Sequence, residues 1–212
     1  MSRKLAPLSG VLFFVSLVAS IVLDGNEPEG GKVTGVKVIV FFTMHRDRMI
    51  ASAALIGIAV FSGVIFYGFL RDYLRRNETV SGLARTAFGG ALLYAGGGCL
   101  GAGIALALTD SPSHLSPGAA QGLDLIRSDV NESFIGAGTA ILLFCYGLAI
   151  VKSGMLPRWL GWVTFPFVVI ALIPELYWAA SFAAGIWTLI LSLVLLVREA
   201  RSSALPTSET NG

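Results

Sequence analysis

Charge is what this chain has least of. Of its 212 residues only 13% are Asp, Glu, Lys or Arg, while 55% are hydrophobic; soluble domains carry roughly a quarter charged residues. The shortage excludes an ordinary water-soluble globule, and a mean hydropathy of +0.77 agrees. There is no basic tract of five or more residues and the net charge is only +2, which excludes nucleic acid as a partner. Two cysteines, Cys99 and Cys145, are too few for a four-ligand zinc site. Both fall midway along apolar runs, where buried thiols are expected rather than a disulfide. HExxH, a paired-carboxylate helix and a nucleophile elbow are all missing, so no catalytic residue, metal or cofactor is implied.

What the chain does have is long uncharged runs. A hydrocarbon core of roughly 30 Å takes about twenty helical residues, and six runs meet or approach that length: 5–23, 49–70, 86–108, 133–151, 159–173 and 176–197. None holds Asp, Glu, Lys, Arg or His, which argues against proton-coupled transporters, pumps and voltage sensors. The fifth run is short and contains Pro166, so it must tilt, kink or extend. The ten-residue alternation of a membrane barrel is missing from runs such as LILSLVLLV. The expected fold is therefore all-α: a polytopic membrane protein whose six-transmembrane-helix bundle forms one domain over residues 1–201, with a disordered tail at 202–212.

Orientation follows from the basic residues, which are retained in the cytoplasm. With the N-terminus inside, Arg3, Lys4, Arg71, Arg75, Arg76, Arg85, Lys152, Arg158, Arg198 and Arg201 fall on the inner side, and Lys32, Lys37, Arg46, Arg48 and Arg127 on the outer. Both termini are then cytoplasmic, and the location is a cell membrane of inner or plasma type. The first run, longer than a signal-peptide core, is read as an anchor. In SGMLPRWLGW, Gly154 ends the fourth span, Pro157 suits the start of the next, Arg158 snorkels to phosphates and Trp159 and Trp162 sit at headgroup level.

That turn, the opening RKLAPLSGVLFFVSLVAS and the closing YWAASFAAGIWTLILSLVLLVRE resemble the six-span bacterial membrane proteins of the DUF4386-like family, especially actinobacterial members. The likeness covers residues 5–18 and 134–197 best, and only loosely 25–131. It implies a six-helix bundle of bacterial origin and carries over no activity and no site residue.

The third span reads GGALLYAGGGCLGAG. A small-residue face for close helix packing is the plain reading. The alternative is a helix that bends or unwinds near the midplane to receive a ligand, with Tyr94, Gly97, Gly98, Gly101, Thr139 and Tyr146 as candidate ligand-binding residues.

Outside, Val33, Val36, Val40, Phe41 and Met44 recur at helical spacing, which predicts a short amphipathic helix at the interface before span two, with an edge strand as the competing reading. AAQGLDLIRSDVNE predicts a second such helix. Asn131 in that stretch opens an N-x-S triplet read as chance. His45, Asp47, Asp24, Asp129, Glu132 and Glu175 gather near span ends on the same side, where a metal or acid–base site would need them to converge.

Three functional readings follow. The first is a non-enzymatic bundle acting by association with membrane lipid, a membrane partner or itself. The second is a carrier or receptor for an apolar or weakly polar small molecule at the third span. The third is an enzyme built on the outer-rim His45 and carboxylates.

Overall fold

The structure, a computed structural model, describes residues 5–25, 33–110 and 114–204. Every regular element among them is helical. Helix α1 is Leu5–Asp24, α2 Gly35–Met44, α3 Arg46–Leu74, α4 Ser81–Asp110, α5 Pro117–Val130, α6 Gly136–Ser153, α7 Arg158–Trp162, α8 Thr164–Ala171 and α9 Tyr177–Ala204. A π turn, Asn131–Ile135, fuses α5 to α6, so that rod runs Pro117–Ser153. Among the described residues five helices are long and apolar enough to cross a membrane: α1, α3, α4, the α5–α6 rod and α9.

The fifth predicted span is the exception, because 159–173 is two short helices parted at Val163. Pro166 has no N–H for the Trp162 carbonyl four residues back, and its ring crowds that carbonyl; α7 accordingly stops at Trp162. At 1.5 Å per residue the pair spans about 21 Å. It nevertheless returns the chain along α6. A Cβ on Gly161 would lie 2.5 Å from the Gly147 carbonyl oxygen, and one on Gly136 would lie 3.0 Å from that of Ala171. Helix α9 then starts beside Gly136 and ends near Met155, whose carbonyl accepts from Arg198 Nη1 at 2.5 Å. So α6 and α9 run parallel, with α7–α8 as the reverse stroke between them.

Helices α1, α3, α4, α6, α8 and α9 close a ring, each packed on the next and α9 back on α1. Gly10 faces Ser192 while Gly185 faces Leu17, which puts the start of α1 and the end of α9 at one end of the bundle. That end carries Arg71, Arg75, Arg76, Lys152, Arg158 and Arg198 and is the basic end. Its half of the ring is solid, with Phe66, Leu70, Leu142, Tyr146, Leu160 and Leu191 fully buried. Two tyrosines lock it: Tyr67 Oη and Thr188 Oγ1 are 2.6 Å apart, and Tyr146 Oη donates to the Tyr67 carbonyl at 2.7 Å. Other buried hydroxyls return to their own helix, as Ser62 does to the Ile58 carbonyl and Ser192 to that of Thr188, which satisfies them where water is scarce. Gly154, at φ +62°, terminates α6, and Arg158, Trp159 and Trp162 lie exposed beside it.

Helices α2 and α5 cap the opposite end. Gly35 meets the Pro117 backbone, and Val38, Phe42, Met49, Leu108 and Ala120 form a second, smaller core. The large hydrophobic residues exposed on α2 are Val36, Val40 and Met44, the last at 74%, so the helical spacing in the sequence tracks this bare stripe while Val38 and Phe42 turn inward.

Three expectations need correction. The glycine-rich α4 does not unwind; it is continuous, and the irregular turn lies in the rod beside it. Cys99 is exposed rather than buried, because it sits on the outside of the ring, while Cys145 is buried; both are free thiols. The first three residues of the expected tail, 202–204, continue α9, and 205–212 lie outside the described residues.

Candidate functional site

Between the solid half and the cap lies a cavity of about 290 Å³. Its apolar lining includes Phe13 and Leu17 on α1 and Ile56 and Val60 on α3, and its polar lining Ser20, Asp24, Ser52, Tyr94, Arg127 and Asn131.

The end of α1 is built to hold Asp24 in place. Gly25 adopts φ +60°, a left-handed conformation that glycine accepts without a Cβ penalty. The Arg48 guanidinium folds over the exposed carbonyls, donating from Nε to that of Leu23 and, at 3.5 Å, to that of Val22. A cation there also opposes the negative end of the helix dipole. One turn further along α3, Ser52 Oγ donates to Asp24 Oδ1.

Across the cavity the α5–α6 rod presents Arg127 and Asn131. Arg127 Nη2 contacts Asp124 Oδ1 at 2.9 Å, with the side chains 11% and 1% exposed, and its guanidinium lies 5.7 Å from the Phe42 ring centroid. Asp124 Oδ2 is buried with no hydrogen-bond partner among the described residues. Asn131 opens the π turn, a feature that offsets the helix register and re-aims side chains. It enters the space left by Gly101, where a Cβ would strike the carboxamide. Tyr94 packs edge-on against Phe13, centroids 6.3 Å apart. Neither the Tyr94 hydroxyl nor the Asn131 carboxamide makes a hydrogen bond among the described residues. Chemically the cavity therefore offers hydrogen bonds and one charge of each sign from opposite sides, with hydrocarbon contact between them.

The six candidate residues read from the sequence divide. Tyr94, Gly98 and Gly101 line the cavity. Gly97 instead admits Phe134 and Ile135 of the rod, where a Cβ would come within 2.8 Å. Thr139 Oγ1 meets Ser181 Oγ at 3.4 Å and Tyr146 belongs to the solid core, so neither is brought to the others. The outer-rim group does not converge either. His45 Nδ1 lies 2.9 Å from the Phe41 carbonyl oxygen and its ring stacks on Phe41. Among the described residues no three His, Cys, Asp or Glu side chains gather to hold a metal ion.

Sequence reasoning missed Ser20, Ser52, Arg127 and Asn131 as cavity residues. One signal was legible: Asp124 and Arg127 are three apart, so opposite charges share a helix face. The serines gave none, since a lone Ser in an apolar helix usually bonds its own backbone. No protein-family model, curated protein or solved structure matches the chain.

Proposed function

We propose that this protein is a multi-pass membrane protein of the cell membrane that binds one small amphiphilic molecule in the cavity beneath the α2–α5 cap, as a receptor or carrier. The cavity carries this reading, above all the Tyr94 hydroxyl and Asn131 carboxamide that line it with hydrogen-bonding capacity to spare. A ligand with a polar head and an apolar body would hydrogen-bond to these groups through its head and lay its body against Phe13, Leu17, Ile56 and Val60. A largely apolar pocket with a few convergent polar groups is the usual form of a small-molecule site. The same observation lowers the reading of a purely associative bundle. The outer-rim enzyme reading gains nothing from the geometry.

In this proposal the chain crosses the bilayer six times, as the DUF4386-like resemblance implies, with α7–α8 as a short fifth crossing. The basic end faces the cytoplasm with both termini, and the bare stripe Val36, Val40 and Met44 lies on the opposite leaflet. The parallel course of α6 and α9 supports the extra crossing, since a helical return is needed between them.

The test is retention of a bound molecule through purification in mild detergent, followed by solvent extraction and mass spectrometry. A Cβ on Gly98 would sit 3.7 Å from Ile56 and Val60, ordinary contact, while one on Gly103 meets nothing within 4 Å. Gly98→Leu therefore places its added carbons at the cavity without a backbone clash, and Gly103→Leu is the control. Loss of a co-purifying molecule from the first variant alone supports the proposal. Identical extracts from wild type, G98L and G103L overturn it.

A further inference from the structure

The lining of the cavity beneath the cap is graded along its helices. On α1 the lining residues Phe13, Leu17, Ser20 and Asp24 follow at intervals of four, three and four, which is one face of the helix. At 1.5 Å per residue Asp24 stands about 16 Å along the axis from Phe13. Helix α3 runs antiparallel beside α1, with Ser52 at Asp24 and Gly63 at Phe13. Its lining residues Ser52, Ile56 and Val60 therefore repeat the same order from polar to apolar.

Among the described residues Asp24 is the one acid that lines the cavity and Arg127 the one base. Their engagement differs. Arg127 already holds Asp124 Oδ1 at 2.9 Å. Asp24 accepts from a neutral donor, Ser52 Oγ, and through Oδ1 alone; no cationic side chain among the described residues lies within ion-pair distance of its carboxylate. Arg48, the other cation at this end of α1, is outside the lining and directs its fork to the Leu23 and Val22 carbonyls. A carboxylate or phosphate head would face the Asp24 charge and compete with Asp124 for Arg127. A hydroxyl head would donate to Asp24 but leave its charge unopposed. An ammonium supplies the donor and the opposite charge together, and such a hydrogen bond is roughly twice as strong as a neutral one.

On the reading that this cavity takes one small amphiphile, on which the assignment rests, we propose that the ligand's head is a protonated amine bearing N–H groups, bound at Asp24. Ser52 holds the carboxylate for it. The remaining N–H groups are left for the Asn131 carboxamide oxygen and the Tyr94 hydroxyl, both of which accept and both of which line the cavity. The hydrocarbon body lies along Leu17, Ile56 and Val60 toward Phe13. A quaternary ammonium has no N–H to give, so phosphatidylcholine is a suitable host for the test.

The full chain in phosphatidylcholine nanodiscs is titrated with octylamine, octanol and octanoate, three heads on one tail, and Kd is measured by calorimetry with empty discs subtracted. Octylamine is expected to bind about ten-fold or more tighter than octanol, and octanoate no tighter than octanol. Asp24→Asn keeps an acceptor for Ser52 and removes the charge, and is expected to bring octylamine and octanol within about two-fold of each other. Gly98→Leu is expected to weaken all three. Octanol binding that G98L weakens, with octylamine no tighter than octanol, leaves the cavity reading standing and overturns the amine. A preference for octylamine that survives D24N overturns it as well. Affinities that G98L leaves unchanged for all three probes overturn the cavity reading and the amine with it. If D24N fails to fold, the order of the three heads in wild type and G98L decides alone, and octanol or octanoate binding tightest refutes the amine. Phosphatidylethanolamine mixed into the discs separates the two sources of such a head: competition with octylamine assigns the site to the lipid's ammonium, and no competition assigns it to a free amine.

Discussion

Glycine to alanine at position 138 adds one methyl group and tests how α4 and α6 are held together. A Cβ built there would lie 2.5 Å from the Tyr94 nitrogen, 2.8 Å from Tyr94 Cα and 2.9 Å from the Gly90 carbonyl oxygen. Ordinary contacts of this kind are about 3.5–4.0 Å, and all three neighbours are backbone, so no side chain can swing away. The helices must part by about 1 Å, and a gap of that size forfeits a quarter to a half of each contact's dispersion energy. With overpacking costing about 1–3 kcal/mol, G138A is expected to destabilise by about 2–3 kcal/mol. For a chain of this size that lowers the melting temperature by about 4–12 °C. Gly90→Ala, whose Cβ would lie 2.7 Å from the Leu142 nitrogen, should behave alike. Gly89→Ala and Gly96→Ala are the internal controls: nothing lies within 4 Å of either Cβ, and alanine is the better helix former by about 1 kcal/mol. Thermal aggregation in detergent, read by size-exclusion chromatography, separates the two classes. If G138A and G96A melt together, the glycine row does not set the α4–α6 distance and the reasoning fails.

Arg127→Met removes the partner of Asp124 inside the cap and is expected to cost about 3–5 kcal/mol, whereas Asp124→Leu with Arg127→Met costs much less; comparing the two melting temperatures checks this. Tyr67→Phe deletes the hydroxyl shared with Thr188 and should lower stability by about 0.5–1.5 kcal/mol without affecting retention at the cavity. Arg48→Lys keeps the charge near the end of α1 but loses the fork that reaches two carbonyls, so it should melt below wild type and close to Arg48→Ala.

Much of the fold was legible because lipid imposes a simple rule. Residues that are uncharged for about twenty positions must satisfy their backbone internally, so runs 5–23, 49–70, 86–108 and 176–197 each reappear as a long helix. The turn at Gly154 was legible for a local reason, the positive φ that follows a helix end. The fifth run was harder to read, since Pro166 announces a break but the packing partner decides whether the pieces stay aligned. The cap was legible as two helices and no more. That Val38 and Phe42 turn inward depends on what α5 brings opposite them. The DUF4386-like resemblance rests on the quoted motifs alone.

The site was the least legible part. Tyr94 and Gly101 were picked from a glycine-rich run, yet Gly97, four residues before Gly101, spends its missing side chain on Phe134 and Ile135. Spacing places residues on a face but does not say what the neighbouring helix presents. Here it presents a π turn that shifts Asn131 into the gap at Gly101.

By itself the sequence determined that this chain is helical, membrane-compatible and free of a recognisable catalytic motif, because each of those properties depends on composition and on runs of neighbours along one chain. Only the tertiary structure decided that one half of the ring is solid and the other hollow. Volume left between helices depends on how close glycines such as Gly90 and Gly138 let the backbones approach, and on where a register offset moves a side chain. Both are properties of pairs of helices far apart in sequence.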